Sequence, residues 1–125
     1  NALKADLTAL ENLDFATGLR RPTAAGETRA ALERVGIARC AGLPARSLSA
    51  GQRRRLAMAR VLLAATPLWL LDEPYANLDR EGQVLVDRMI ETHCRRDGAA
   101  ILTSHGLVSP GLSRLATITL RGSRP

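Results

Sequence analysis

The sequence predicts an α/β protein with a parallel sheet, and three observations predict it. Leu68-Trp69-Leu70-Leu71 is a short continuous apolar run, the pattern of a strand buried on both faces. Ala99 to Thr103 is a second such run, and the segment between them, Arg80 to about Arg96, has helical length and an apolar stripe. Strand, helix, strand is the alternation that pairs strands in parallel through a crossover. The preceding residues read only as helices and turns, so the chain should divide into a helical part, residues 1–66, and an α/β part, residues 67–125.

In chain order, Asn1 to Phe15 is expected to be a turn and a short helix. Leu3, Leu7, Leu10 and Leu13 recur at helical spacing, and Thr8-x-x-Glu11 forms a capping box. Gly18 to Gly26, with Pro22, reads as a loop. Glu27 to Val35 reads as a second helix with Ala31, Leu32 and Val35 inward, and Gly36 ends it. Gly42, Pro44 and Ser47 make Ile37 to Leu48 a connecting segment. Ser49 caps the next helix through an S-x-x-Q box, and Leu56, Ala59 and Leu63 share one face until about Ala65, where Pro67 forbids continuation. After the first strand, Asp79 can cap the helix from Arg80, with Val84, Leu85, Met89 and Ile90 as its stripe, and Gly98 closes it. Ala99 to Thr103 follows, then a short helix over Pro110 to Arg114 and a final strand over Leu115 to Leu120. There is no internal repeat and no low-complexity tract.

Composition narrows the function. The 125 residues carry a formal net charge of +6, almost wholly arginine, yet only one Trp, one Tyr and one Phe. A basic balance suits nucleic acid, an anionic membrane surface or a phosphate ligand. The arginines are scattered, and the aromatic platforms of a single-strand binder are missing, so no nucleic-acid partner is expected. The longest apolar stretch, Val61 to Leu71, is broken by Thr66 and Pro67 and falls short of the roughly 20 residues that span a bilayer. Cys40 and Cys94 are isolated, with no metal or haem-attachment spacing, which suits a reducing compartment.

Two places carry chemistry. Asp72 and Glu73 end a buried strand, where α/β sheets place ligand-binding groups. Adjacent residues on an extended chain diverge, so one carboxylate can organise Mg²⁺ while the other acts on an attacking water in phosphoryl transfer. Asp72 is assigned to Mg²⁺, through water, and Glu73 to the general base. A strand ending in solvated acids before Pro74 is the plainer alternative. Leu48-Ser49-Ala50-Gly51-Gln52 gathers a hydroxyl, a glycine and helix N-terminal N–H groups at one point, an anion site favoured by the helix dipole. An ordinary capped helix would look the same. Arg53, Arg54 and Arg55 follow; successive residues diverge by roughly 100° on a helix, so most of the triplet is expected to be solvated. His93 and Cys94 are expected to be an exposed helix pair, since neighbouring helix positions do not converge on one ligand.

In this order and spacing, LSAGQ, LWLLDEP, ANLD and His105 resemble the signature, Walker B, D-loop and switch histidine of ATP-binding cassette (ABC) ATPases. The resemblance implies a partial P-loop NTPase fold, a helical signature subdomain plus half of the parallel-sheet core. It implies that Ser49, Ala50, Gly51 and Gln52 meet the γ-phosphate held by a second ATPase subunit. It further implies that Asn77, Leu78 and Asp79 lie at the dimer interface, and that Glu73 and His105 are catalytic. Ala50 departs from the usual glycine, which narrows backbone approach slightly but leaves the hydroxyl and Gly51. As plainer alternatives, Asp79 is an N-cap and His105 a packed strand-end residue.

The stretches from Ala2 to Leu13, LSAGQRRRLAMARVLL from Leu48 and PLWLLDEPYANLD from Pro67 resemble ATP-binding subunits of bacterial haem exporters used in cytochrome c maturation. That resemblance implies ATP and Mg²⁺ as cofactors, transmembrane transporter subunits as partners, and a peripheral place on the cytoplasmic face of the inner membrane. Other ABC exporters, a soluble non-transport ABC ATPase and a non-enzymatic basic binding module are the alternatives. The phosphate-cradling GxxxxGK[ST] is missing, Lys4 is the only lysine, and the first residue is Asn1. The chain is therefore expected to be a portion whose upstream half carries that loop, inactive by itself.

Overall fold

The computed structural model describes residues 3–19, 22–104, 111–112 and 116–118. His105, the helix expected over 110–114 and the strand expected over 115–120 lie outside them, apart from 111–112 and 116–118, which carry neither helix nor strand.

The first helix, α1, spans Ala9–Gly18, and its capping box is complete: Glu11 N–H donates to Thr8 Oγ1 at 3.2 Å, and Thr8 N–H to Glu11 Oε2 at 2.7 Å. It runs three residues past the expected end, where the Thr17 hydroxyl bonds back to the Leu13 carbonyl and Leu19 N–H to that of Phe15. Ahead of it, buried Asn12 pins the entering turn. Its Oδ1 accepts from Lys4 N–H at 2.8 Å, and its Nδ2 lies 3.0 Å from the carbonyls of Lys4, Leu7 and Thr8.

Helix α2, Glu27–Arg34, ends as its glycine demands. Gly36 has φ 73, Gly36 N–H bonds Glu33 O, and Ile37 N–H bonds Leu32 O, the paired bonds of a Schellman motif. Ala31, Leu32 and Val35 are buried as expected. Two 3₁₀ turns, Ala38–Cys40 and Ala45–Ser47, make up most of the connecting segment. Backbone bonds from Ala9, Leu10, Ala45 and Arg46 tie this segment to the residues entering α1.

Helix α3, Ala50–Ala64, buries Leu56, Met58, Ala59 and Leu63 and stops at Ala65, which adopts a left-handed φ of 49 two residues before Pro67. Strand β1, Leu68–Asp72, pairs in parallel with β2, Ala99–Thr103, in the register Leu70↔Ile101 and Asp72↔Thr103. Helix α4, Arg80–Cys94, is the crossover. One apolar cluster joins Leu13, Leu32, Val35 and Leu56 to Trp69, Leu71, Val86, Met89 and Ile90, so the helices and the strand pair share a core.

Three expectations need correction. β1 is buried on one face only: Trp69 and Leu71 enter the core, while Leu70 is 72% exposed beside Ile101 at 60%. A continuous apolar run cannot report which of its faces is covered. On α4, Val84 faces solvent and Val86 takes its place in the stripe, because the buried face is centred on Val86, Met89 and Ile90. His93 is not an exposed side chain; its ring stacks on Trp69 with centroids 4.0 Å apart and planes 8° from parallel, and its Nε2 lies 3.1 Å from the Pro67 carbonyl. Cys94 beside it is exposed, as expected.

That stack depends on Gly98, where an added Cβ would enter the His93 ring. Gly98→Ala should destabilise by about 1–3 kcal/mol in urea unfolding, the usual cost of overpacking. In a His93→Ala background the same change should cost far less; equal costs in both backgrounds would refute the clash.

Candidate functional site

The N-terminal turn of α3 carries the LSAGQ residues. Ser49 is the N-cap, with Gln52 N–H donating to Ser49 Oγ at 3.2 Å and Ser49 N–H to Gln52 Oε1 at 2.8 Å. Ser49 and Ala50 are exposed, so the hydroxyl that satisfies the helix also faces solvent, and the Ala50 methyl crowds nothing in the core. A Cβ on Gly51 would lie 3.1 Å from the Asn77 carbonyl. The glycine thus gives room within this chain for the ANLD turn to approach, a role separate from any contact with an anion.

At the end of β1, the Thr103 hydroxyl donates to Asp72 Oδ1 at 2.6 Å and accepts Glu73 N–H at 3.3 Å. Glu73 has φ 47, a left-handed conformation that costs a non-glycine residue about 1–2 kcal/mol. The chain thus kinks at Glu73 just past the strand, so the extended-chain alternation that the sequence suggested does not hold there. Such stored strain is found where a side chain must be aimed. Pro74 is buried behind them, and Tyr75 donates to the buried Asp87 at 2.8 Å, fastening the turn to α4. Burial, reinforced by Asp87, pushes the Tyr75 phenol well above its ordinary range, so it stays a donor.

Asn77 is left-handed at φ 61. Asp79 caps α4, accepting Gly82 N–H at 2.8 Å. That bond, assisted by Arg55, holds the Asp79 carboxyl below the usual carboxylate range against a smaller opposing effect of desolvation.

The arginine triplet is where the sequence reading fails. All three side chains reach backbone carbonyls: Arg53 bonds Leu48, Arg54 bonds Asp72 at 3.2 Å, and Arg55 bonds Val35 at 3.2 Å and Asp79 Oδ1 at 3.2 Å. The three diverge as helix geometry requires, and each divergent direction meets a different element. Arg54 and Arg55 thereby bring the LSAGQ turn to both the acidic strand end and the ANLD turn. A small cleft lined by Ala50, Arg53, Arg54, Ala57 and Asn77 lies at this junction. Thr103, Arg54 and Arg55 were the contributors missed. Three arginines in a row directly after a cap were the available signal; for Thr103 there was none beyond a hydroxyl at a strand end.

Gly51 and Asn77 meet directly, and Arg54 and Arg55 reach from α3 to Asp72 and Asp79, while His105 lies outside the described residues. No cluster of three or more His, Cys, Asp or Glu side chains that could hold a metal exists among the described residues, and no described helix is long and apolar enough to cross a membrane.

Comparison with known proteins gives the family. Residues 1–76 match the family model described as ABC transporter. The chain is 51% identical over 121 residues to a cytochrome c biogenesis ATP-binding export protein, CcmA, of Xanthomonas campestris pv. campestris (strain 8004), covering 97% of this chain and 56% of that protein. It is 44% identical over 109 residues to the protein of the same name in Pseudomonas savastanoi pv. phaseolicola (strain 1448A / Race 6), covering 87% of this chain and 51% of that one. The chain thus spans about half the length of the curated relatives it matches.

Because the folded-state carboxyl of Asp79 lies below its unfolded value, near 3.9, its cap stabilises fully above that value. The contribution is lost as pH falls through the lower, folded-state value. Asp79→Ala should therefore lower the unfolding midpoint at pH 7, and the gap to the wild type should close on acidification below about pH 4. A gap that persists or widens in acid would contradict the cap.

Proposed function

The chain belongs to the ABC transporter family, and from that premise we propose that it is the signature and Walker B portion of an ATP-hydrolysing subunit that powers export in cytochrome c biogenesis. The carrying observation is that one chain joins an exposed capped hydroxyl, Ser49, to a kinked carboxylate pair, Asp72-Glu73, through Arg54. The choice of export process rests on identity to proteins named for cytochrome c biogenesis export, and haem as the exported molecule on the resemblance in the sequence.

In this reading the chain works in two directions. Residues 1–66 form the helical part, whose Ser49, Ala50, Gly51 and Gln52 present a hydroxyl and helix N-terminal N–H groups to the γ-phosphate bound by a second subunit. Residues 67–125 form part of the α/β core, where Glu73 takes the proton of the attacking water and His105 orients it against the γ-phosphate. Asn77, Leu78 and Asp79 lie where the two subunits meet.

Mg²⁺ fits the end of β1. One oxygen of Asp72 is engaged by Thr103, and the other has no partner among the described residues, so it can accept from a metal-bound water. Bound Mg²⁺ supplies neutralisation of phosphate charge. In this reading the P-loop is supplied outside these residues, and the exposed face bearing Leu68, Leu70 and Ile101 packs against the rest of the core. The assembled protein is a dimer of ATPase subunits docked on transmembrane subunits, peripheral on the cytoplasmic face of the inner membrane.

In the full-length protein, Glu73→Gln should abolish ATP turnover, at least about 100-fold, while nucleotide binding persists, as loss of a general base requires. Undiminished hydrolysis would remove Glu73 from the role. Ser49→Ala should weaken ATP-dependent dimerisation in sedimentation measurements without altering ATP binding by the separate subunit; an unchanged dimerisation curve would count against the signature role.

A further inference from the structure

Thr103 closes β2 directly opposite Asp72, and its one hydroxyl holds both acids of the proposed catalytic pair. Its proton goes to Asp72 Oδ1 at 2.6 Å and a lone pair accepts Glu73 N–H at 3.3 Å, two bonds that a single hydroxyl can make together. Valine has the same branched shape and can make neither. On the other side of the same peptide, the Asp72 carbonyl accepts from Arg54 at 3.2 Å. The Asp72–Glu73 peptide is thus held at its oxygen by α3 and at its nitrogen by β2. It leads into Glu73 at φ 47, a backbone conformation that a residue with a Cβ rarely adopts.

Burial does not explain a hydroxyl here. Thr103 is exposed, its partner in the register is the exposed Asp72, and any β-branched residue would serve the strand equally. The demand for oxygen comes from the two bonds. Resting on the ATP-hydrolysing reading above, we infer that Thr103 is a positioning residue for the carboxylate pair. By occupying Oδ1 it sets the rotation of the Asp72 carboxylate, and by accepting Glu73 N–H it keeps the backbone kink from which the Glu73 side chain departs. It acts only through these two residues.

The test compares Thr103→Val, Thr103→Ser and Thr103→Ala in the full-length protein, with kcat and KM for ATP and the hydrogen-exchange rate of the Glu73 amide as readouts. Thr103→Val should lower kcat about tenfold or more, the size expected for one charge-assisted hydrogen bond, with KM within about twofold. It should also speed Glu73 amide exchange. Thr103→Ser keeps the hydroxyl and should restore both; Thr103→Ala should follow Val.

Wild-type turnover in Thr103→Val overturns the inference, and so does a Thr103→Ser protein as impaired as Val, since the methyl and not the hydroxyl would then matter. A wild-type protein without ATP turnover sinks the ATPase reading instead. The exchange data then decide the clamp alone: Glu73 exchange unchanged by Thr103→Val overturns it, and faster exchange restored by serine upholds it.

Discussion

The anchoring of α3 to the end of β1 and the start of α4 by Arg54 and Arg55 is the interaction on which the site depends. Without it, the LSAGQ turn would keep the close approach of Gly51 to Asn77 but lose its hydrogen bonds to the acidic strand end and the ANLD turn. The Arg55–Asp79 ion pair itself contributes little, because the Asp79 side chain is 71% exposed and water screens it. The part-buried bond from Arg55 to the Val35 carbonyl matters more, since a charged donor on a backbone acceptor stabilises by about 1.5–3 kcal/mol, while the exposed bond from Arg54 to the Asp72 carbonyl chiefly fixes direction. Gly51 completes the junction by admitting the Asn77 carbonyl.

Features set by a few neighbouring residues were legible in the sequence. The Thr8/Glu11 and Ser49/Gln52 boxes, the Asp79 cap and the Gly36 terminus all formed, since each needs only a side chain and a backbone group within one turn. Parallel pairing of β1 and β2 was legible from the apolar runs and the helix between them. What escaped depends on partners distant in sequence. The apolar run of β1 looks the same whether one or both faces are covered, His93 finds Trp69 across the crossover, and the arginines find carbonyls up to 20 residues away.

The candidate site was half legible for the same reason. Residue types and order picked out Ser49, Gly51, Asp72 and Glu73, but the backbone kink at Glu73 is a product of packing. A strand ending in Asp-Glu predicts alternation; the fold replaces it with a left-handed residue steadied by Thr103 below and the buried Pro74 beyond. Strain of this kind persists only where the surroundings over-determine it. Here Thr103, Arg54 and the Tyr75–Asp87 bond do so. The rigidity that the proposed general base needs and the attachment of the LSAGQ turn thus rest on one set of contacts.

The central claim is that one chain serves two nucleotides, its carboxylate pair facing one and its signature turn the other. The most direct measurement is a structure of the full-length Glu73→Gln protein trapped with ATP. The account predicts two nucleotides in a symmetric dimer, each with its γ-phosphate between the Glu73→Gln position of one copy and Ser49 and Gly51 of the other. ATP enclosed within a single copy, with Ser49 of both copies far from any phosphate, would contradict it.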